Sequence, residues 1–142
     1  KKILRVFAFF IAITILSGIF VPRSNPPIEN TVAWDSQATH DQFMKSCADC
    51  HSNQTQWPWY SYIGPTAFMV WNNVNEGREH FNISMANMGE SNESGEEVIE
   101  VNMPPWDDLL MHGDASLNDA ERKAFARGLD VTFGRKGDNE ND

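Results

Sequence analysis

The chain has 142 residues, enough for one domain with an appended segment, and a net charge of −9 at pH 7. The first 23 residues carry four basic side chains and no acidic one, whereas the remainder carries seven basic and twenty acidic ones. An acidic remainder would repel phosphate, which argues against nucleic acid, and it suits a protein partner with a basic docking face. A surface that is merely soluble explains this charge equally well.

Residues 3–21 form an almost unbroken apolar run in which Arg5 is the only charge. At about 1.5 Å per residue, a helix of this length approaches the roughly 30 Å of a bilayer core. A cleaved signal peptide is the alternative, but its apolar region is usually shorter and ends in a small-x-small cleavage site. We therefore expect residues 1–22 to be an uncleaved transmembrane anchor.

The basic residues also predict how this anchor is oriented. Lys1, Lys2 and Arg5 precede the apolar run, and Arg23 alone follows it. Because cytoplasmic flanks carry the excess of basic residues, the N-terminus is expected in the cytoplasm and the rest of the chain on the outer side of the membrane.

Residues 23–34 contain Pro26 and Pro27, follow Pro22, and read as a stiff extended linker. Residues 35–48 then predict a helix, because Ala38, Phe43 and other apolar residues repeat at three- to five-residue intervals. His40 falls off this apolar face and is expected to be exposed.

The predicted helix leads into Cys47-Ala48-Asp49-Cys50-His51, the attachment motif of a c-type haem. On a helical turn the two thiols lie on one face within reach of both porphyrin vinyl groups, and His51 follows in a position to bind the iron. A zinc ribbon would need a second pair of cysteines, and these two are the only ones in the chain. A thioredoxin-like redox pair would accompany a βαβ pattern, which is absent from the sequence. The cofactor predicted is one covalent haem c.

An aromatic segment follows the motif, and Trp57, Trp59 and Tyr60 are its candidate cofactor-binding residues. Prolines on both sides make it rigid, so we expect it to cover a face or edge of the porphyrin and exclude water. An ordinary aromatic core is the alternative.

Six short motifs recur together in one known family: CADCHSN at 47–53, WPWYS at 57–61, EGR at 76–78, FNIS at 81–84, MPP at 103–105 and LMH at 110–112. With them the chain resembles the small haem-binding domain family of bacterial membrane-anchored c-type cytochromes. The resemblance covers nearly the whole chain up to about Gly134, including the anchor and linker, and implies a monohaem cytochrome tethered to the inner membrane of a bacterium, with its haem domain on the periplasmic side. Gly64 and Gly113 depart from the pattern, standing where alanine and proline are expected.

Residues 66–74 predict a short helix, and Gly77 fits the position of its C-cap. Residues 90–100 hold five acidic side chains and no basic one, which we interpret as an acidic surface segment. Their spacing matches no calcium-binding loop.

The second axial ligand of the iron is predicted to be Met103. A c-type iron commonly takes Met or His from the far side, and Pro104 and Pro105 hold Met103 on a loop that cannot become helix. Many small class I cytochromes resemble this chain in having Met-Pro-Pro before their last helix, which also favours Met103. His112 is the rival, and an open sixth position is the remaining alternative. The predicted iron ligands are thus His51 and Met103.

The last helix should begin at Asn118, which with Glu121 forms a capping-box pattern, and should end at Gly134. Its small residues, Gly128 among them, predict close packing against the helix over 35–48. Residues 135–142 are expected to form a disordered acidic tail.

The prediction is an all-α, cytochrome c-like haem domain over residues 35–134, joined to one N-terminal transmembrane helix. We expect it to transfer single electrons between redox proteins or membrane complexes, with no small-molecule substrate and no enzymatic activity, either as a free carrier or as a subunit of a respiratory or photosynthetic complex. A haem peroxidase or a gas or redox sensor with an open or displaceable sixth ligand is the alternative function.

Overall fold

The predicted helical periodicity is realised in seven α-helices within residues 1–137, the part of the chain that this computed structural model describes. Over that range the only β pairing is one isolated bridge between Phe81 and Gly89, so the predicted all-α fold class is confirmed. The helices are α1 (Lys2–Ser17), α2 (Gln37–Ser46), α3 (Ala48–His51), α4 (Thr66–His80), α5 (Ser94–Ile99), α6 (Trp106–Leu109) and α7 (Asp119–Phe133), with 3-10 turns at Gly18–Phe20, Trp59–Tyr62, Ser91–Glu93 and Gly113–Ala115.

α1 and the turn after it form the one helix within residues 1–137 that is long and apolar enough to cross a membrane, over Lys2–Phe20. No residue of α1 itself is buried, so its apolar side chains have no protein core to pack in. A helix of this kind near the N-terminus is either a membrane span or a signal sequence.

The segment after α1 forms no helix or strand over residues 22–34, and it is not a free spacer. The Asn25 Nδ2 atom donates to the Thr55 carbonyl at 2.9 Å, and the Asn53 Nδ2 atom donates to the Pro27 carbonyl at 2.8 Å. The backbone N–H of Glu29 donates to the Ser84 carbonyl at 2.7 Å. These bonds fasten the segment along the surface of the helical domain, because each satisfies a polar group that an extended chain leaves unpaired.

The helix predicted over 35–48 is divided in two. Its first part, α2, begins after Ser36, whose side chain accepts from the Thr39 N–H, and ends at Ser46. Cys47 has a non-helical backbone, and α3 then carries the rest of the haem motif. His40 is half-buried rather than exposed, since its ring packs edge-on against Trp34.

α4 begins where it was predicted but continues six residues beyond Val74, and the prediction that Gly77 caps it is wrong. Gly77 lies inside the helix, where a Cβ atom would come within 2.7 Å of the Cys50 carbonyl oxygen. Glycine is required here because the backbones of α3 and α4 approach each other too closely for a side chain.

The prediction for the last helix is confirmed. Asn118 and Glu121 form a complete capping box, and Gly134 ends α7 with a φ of 81°, which glycine adopts readily. Gly128 lies directly against Thr39 of α2, which is the close contact predicted from its size. The tail prediction is tested only in part, since Lys136 pairs with Glu93 and residues 138–142 lie outside the described residues.

The core lies where α7 packs against α5 and α2, with α3 joining α2 to α4. Its aromatic rings touch edge-on, Phe43 against Phe81 at 5.8 Å and Phe81 against Phe133 at 5.2 Å between centroids. The buried apolar side chains of this core are Phe43, Ala48, Phe81, Ile83, Val98, Leu117, Phe125, Ala126 and Leu129.

Candidate haem site

A cavity of about 580 Å³ opens beside this core. Its volume lies within the roughly 300–1,000 Å³ typical of cofactor and small-molecule sites. Phe43, Phe81, Val98 and Leu129 give it an apolar wall, as a porphyrin ring requires. All three residues of the predicted attachment motif that carry chemistry also line it, together with Met103 and His112.

The two cysteines lie at the cavity as free thiols. Burial raises the pKa of Cys47 and of Cys50 to about 12 each; Cys50 and then Asp108 add to the effect at Cys47, and carboxylates, Asp108 first, add to it at Cys50. Reactive redox cysteines need the opposite environment, one that lowers the thiol pKa. The pair is therefore poorly suited to disulfide exchange, whereas its place on the cavity wall suits attachment to a bound group.

His51 is held in the tautomer that an iron ligand needs. Its Nδ1 atom lies 2.9 Å from the Phe81 carbonyl oxygen, and because that oxygen can only accept, Nδ1 carries the proton. The Nε2 atom is left with its lone pair free for a metal. Burial also lowers the pKa of the imidazole, which keeps it neutral near pH 7.

A buried polar network fixes the segment that carries His51 against the segment that carries Phe81. The Asn82 Nδ2 atom donates to Asn53 Oδ1 at 2.9 Å, and the Asn53 N–H donates to Ser84 Oγ at 2.9 Å. The Ile83 N–H donates to the His51 carbonyl at 3.0 Å. Each of these groups is satisfied inside the protein, so the network is rigid and the imidazole direction is set before any ligand binds.

The loop bearing Met103 is fixed through its backbone. The Met103 N–H donates to the Glu97 carbonyl at 3.1 Å, and the Met103 carbonyl accepts from the Arg122 guanidinium at 3.1 Å. The same guanidinium donates to the Val98 carbonyl at 2.7 Å. Arg122 of α7 thus ties the end of α5 to the Met103 loop and holds the thioether at the cavity.

Both ring nitrogens of the rival ligand, His112, are already engaged. Its Nε2 atom lies 3.2 Å from the Tyr60 hydroxyl, and its Nδ1 atom lies 3.1 Å from an oxygen of Asp108. To bind a metal, His112 would have to give up one of these bonds, whereas the Met103 sulfur has no such bond among those of the described residues.

The donor set of this cavity fits a haem: two thiols, an imidazole with a free Nε2 atom and a thioether, around an apolar space of suitable volume. A family model for a haem-binding domain matches residues 10–130, most of the chain. The chain belongs to this family of haem-binding domains. No curated protein and no solved structure matches it.

The predicted aromatic residues lie outside the lining of this cavity, and their role in covering the porphyrin stays a prediction. Trp57, Trp59 and Tyr60 are absent from the cavity lining formed by residues 1–137, and 70% of Trp59 is exposed. Tyr60 approaches the cavity only through its hydroxyl contact with His112.

Acidic side chains gather around the cavity of the haem-binding domain. Among the described residues that line it, Lys45 is the only lysine or arginine. The carboxylates are Asp49, Glu76, Glu90, Glu93, Glu97, Asp107, Asp108 and Asp114. The negative charge of the chain is therefore concentrated around the site.

Three contributors to the site were missed in the sequence. The sequence around Gly77 predicts a helix end, and nothing in it indicates the close contact with the Cys50 backbone. Phe81 orients His51 through a backbone carbonyl, an atom that every residue has. Arg122 lies in a helix of mixed charge, where a solvent-facing role is the ordinary expectation.

Proposed function

We propose that this protein is a monohaem c-type cytochrome, anchored in a bacterial inner membrane, that carries single electrons between membrane or periplasmic partners. The observation that carries the proposal is the arrangement of Cys47, Cys50 and His51 at one cavity, with the His51 Nδ1 atom bonded to the Phe81 carbonyl so that Nε2 is the unprotonated nitrogen. Bound haem would supply a reversible one-electron couple.

The proposal assigns a role to each residue at the cavity. Cys47 and Cys50 would hold the porphyrin by thioether bonds, and His51 of the same motif would bind the iron. Met103 would bind from a separate loop. Phe43, Phe81 and the other apolar wall residues would keep water away from the ring.

Electron transfer is favoured over peroxidase or sensor chemistry by the fixation of the Met103 loop. A sixth ligand must leave before peroxide or a gas can bind, and both backbone groups of Met103 are bonded to other segments. A held thioether supports a carrier that changes charge without exchanging ligands.

Variants of the two cysteines test covalent attachment. Cys47→Ala and Cys50→Ala should each lose part or all of the haem stain after denaturing electrophoresis, because each removes one thioether. Ser46→Ala, a neighbouring change on the same cavity, should keep it. If both cysteine variants retain full stain, or if the native protein loses all of it on denaturation, attachment is not of the c type.

Redox measurements test the carrier function. The purified protein should titrate reversibly as a one-electron couple and should show no turnover of hydrogen peroxide. Turnover at a rate typical of enzymes, roughly 1–10³ per second, would instead favour the enzymatic alternative.

A further inference from the structure

An exposed apolar surface lies at the end of the domain that meets α1. The exposed fractions are 86% for Phe20, 70% for Trp59, 50% for Tyr62 and 51% for Phe68. These residues, here called the basal aromatic surface, come from the turn Gly18–Phe20, the turn Trp59–Tyr62 and the start of α4, three elements that pack on one another. A group of exposed aromatic side chains on neighbouring elements is typical of a surface that contacts a protein or a membrane.

The end of α1 is locked to this part of the domain. The Gly64 N–H donates to the Ile15 carbonyl at 3.1 Å. A Cβ atom on Gly18 would lie 2.6 Å from the Ile63 carbonyl carbon, so the two backbones are in direct contact. The position of the basal aromatic surface is therefore set by the position of α1.

Arg23 completes the joint. Its guanidinium donates to the Ser61 carbonyl at 2.6 Å and to the Gly18 carbonyl at 3.1 Å. It also lies over the Tyr62 ring, with its central carbon 4.1 Å from the ring centroid. Arg23 lies with Trp59 and Tyr62 near the end of an apolar helix. Basic residues, tryptophan and tyrosine are the residues enriched where a membrane meets water.

The charge pattern separates this surface from the acidic site. No Asp, Glu, Lys or Arg occurs between His51 and Glu76, in a chain that is 22% charged. Arg23 is the only charged side chain placed here at this surface, which offers little to a protein partner steered by charge, whereas a lipid headgroup layer accepts amphipathic rings and a basic side chain beside them.

We propose that the basal aromatic surface is a lipid-binding surface, with Trp59 and Tyr62 seated in the headgroup layer of the membrane that α1 crosses. This rests on the membrane anchoring in the proposed function. A helix over Lys2–Phe20 would span about 28 Å, so its C-terminal end and everything packed against it lie at the bilayer surface. In this proposal the aromatic segment fixes how deeply the domain sits in the membrane surface, and it does not line the haem cavity.

Photolabelling of the unmodified holoprotein tests this directly. The full chain is reconstituted in phosphatidylcholine vesicles that contain some phosphatidylglycerol and a phospholipid with a diazirine in its headgroup. After illumination, lipid adducts are located by peptide mass spectrometry. We expect adducts at the end of α1 and on residues 59–62, and none above background on residues 128–135, which include the equally exposed Val131 of α7.

The outcomes separate the two proposals. Adducts on α1 with only background on residues 59–62 would overturn the lipid-binding surface and leave the anchor intact. Background labelling of α1 itself would overturn the anchor, and the surface with it.

A pair of charge variants gives a second measurement. Trp59→Glu places a negative charge against the anionic headgroups and should lower adduct formation on residues 59–62 about fivefold. Val131→Glu, at a site of similar exposure on α7, should leave it unchanged. Equal labelling in both variants, with helical circular dichroism as in the native protein, would contradict the proposal.

Discussion

Met103 and His112 both line the cavity, yet the structure treats them differently. The backbone of Met103 is bonded on both sides, while its side chain packs against the core. In His112, both ring nitrogens already form hydrogen bonds, Nε2 with Tyr60 and Nδ1 with Asp108. The Met103 sulfur is therefore available to bind iron, whereas the His112 ring would first have to give up a hydrogen bond. This difference leads to a spectroscopic prediction.

Met103→Ala should lower the midpoint potential by on the order of 0.1 V, part of the roughly 0.8 V range over which axial ligands act. The physical reason is that a thioether stabilises reduced iron more than an imidazole or water does. The variant should also lose the weak far-red band of sulfur-bound ferric haem.

His112→Ala is the matched control and should keep that band. If the native protein lacks the band and only the His112 variant becomes high-spin, the sixth ligand is His112 and the assignment to Met103 is wrong.

At the scale of helices, much of the architecture could be read from the sequence because its signals are local. The pair Asn118 and Glu121 predicts the start of α7, and Gly128 predicts a close contact between helices. Gly77 is a case in which the local sequence predicts the wrong role. Glycine near the end of an apolar run looks like a C-cap, and only the packing of α4 on α3 shows that it is needed inside the helix.

The same limit explains the aromatic segment. Its position next to the haem motif in sequence suggested a place next to the haem in space. In the structure Thr55 and Gln56 still bond to Asp49 of the motif, but Trp59 is exposed on the surface. Sequence proximity could not reveal this, because the direction of the chain depends on bonds to the linker and to α1.

The close approach of α3 and α4 gives a prediction about stability. Gly77→Ala should destabilise the holoprotein by about 1–3 kcal/mol, as overpacking does, because a backbone carbonyl stands where the new methyl group would go. Chemical denaturation followed at the Soret band measures this.

Gly113→Ala is the control, since a Cβ there meets nothing within 4 Å. It should be neutral or slightly stabilising through the unfolded chain. Equal unfolding free energies for the two variants would show that α3 and α4 can separate without cost.

At the scale of the whole molecule, the carboxylates around the cavity predict that association with a basic redox partner depends on salt. The second-order rate of electron transfer should fall about tenfold or more as ionic strength rises, since charges are screened beyond a Debye length of roughly 10 Å at 0.1 M. Stopped-flow kinetics at several salt concentrations measure it.

A pair of charge reversals locates the effect. Asp114→Lys, at the cavity, should slow the reaction at low salt more than Glu29→Lys, an exposed change on the segment after α1. Rates that are independent of salt in the native protein would mean that docking is apolar or permanent.

The bonds that fasten the extended segment to the domain limit where the cofactor can travel. A flexible tether over residues 23–34 would let the domain wander roughly 20 Å from its anchor and sample many partners. Here Arg78 of α4 donates to the Ser24 carbonyl at 2.9 Å and to Asn25 Oδ1 at 3.0 Å. These bonds hold the segment against the domain, so it does not act as a flexible tether. If α1 crosses a membrane, as the proposed function requires, these bonds hold the haem-binding domain at a fixed height above the bilayer. Electron exchange would then depend on lateral diffusion in the plane of the membrane, and a partner would have to present its redox centre at the same height.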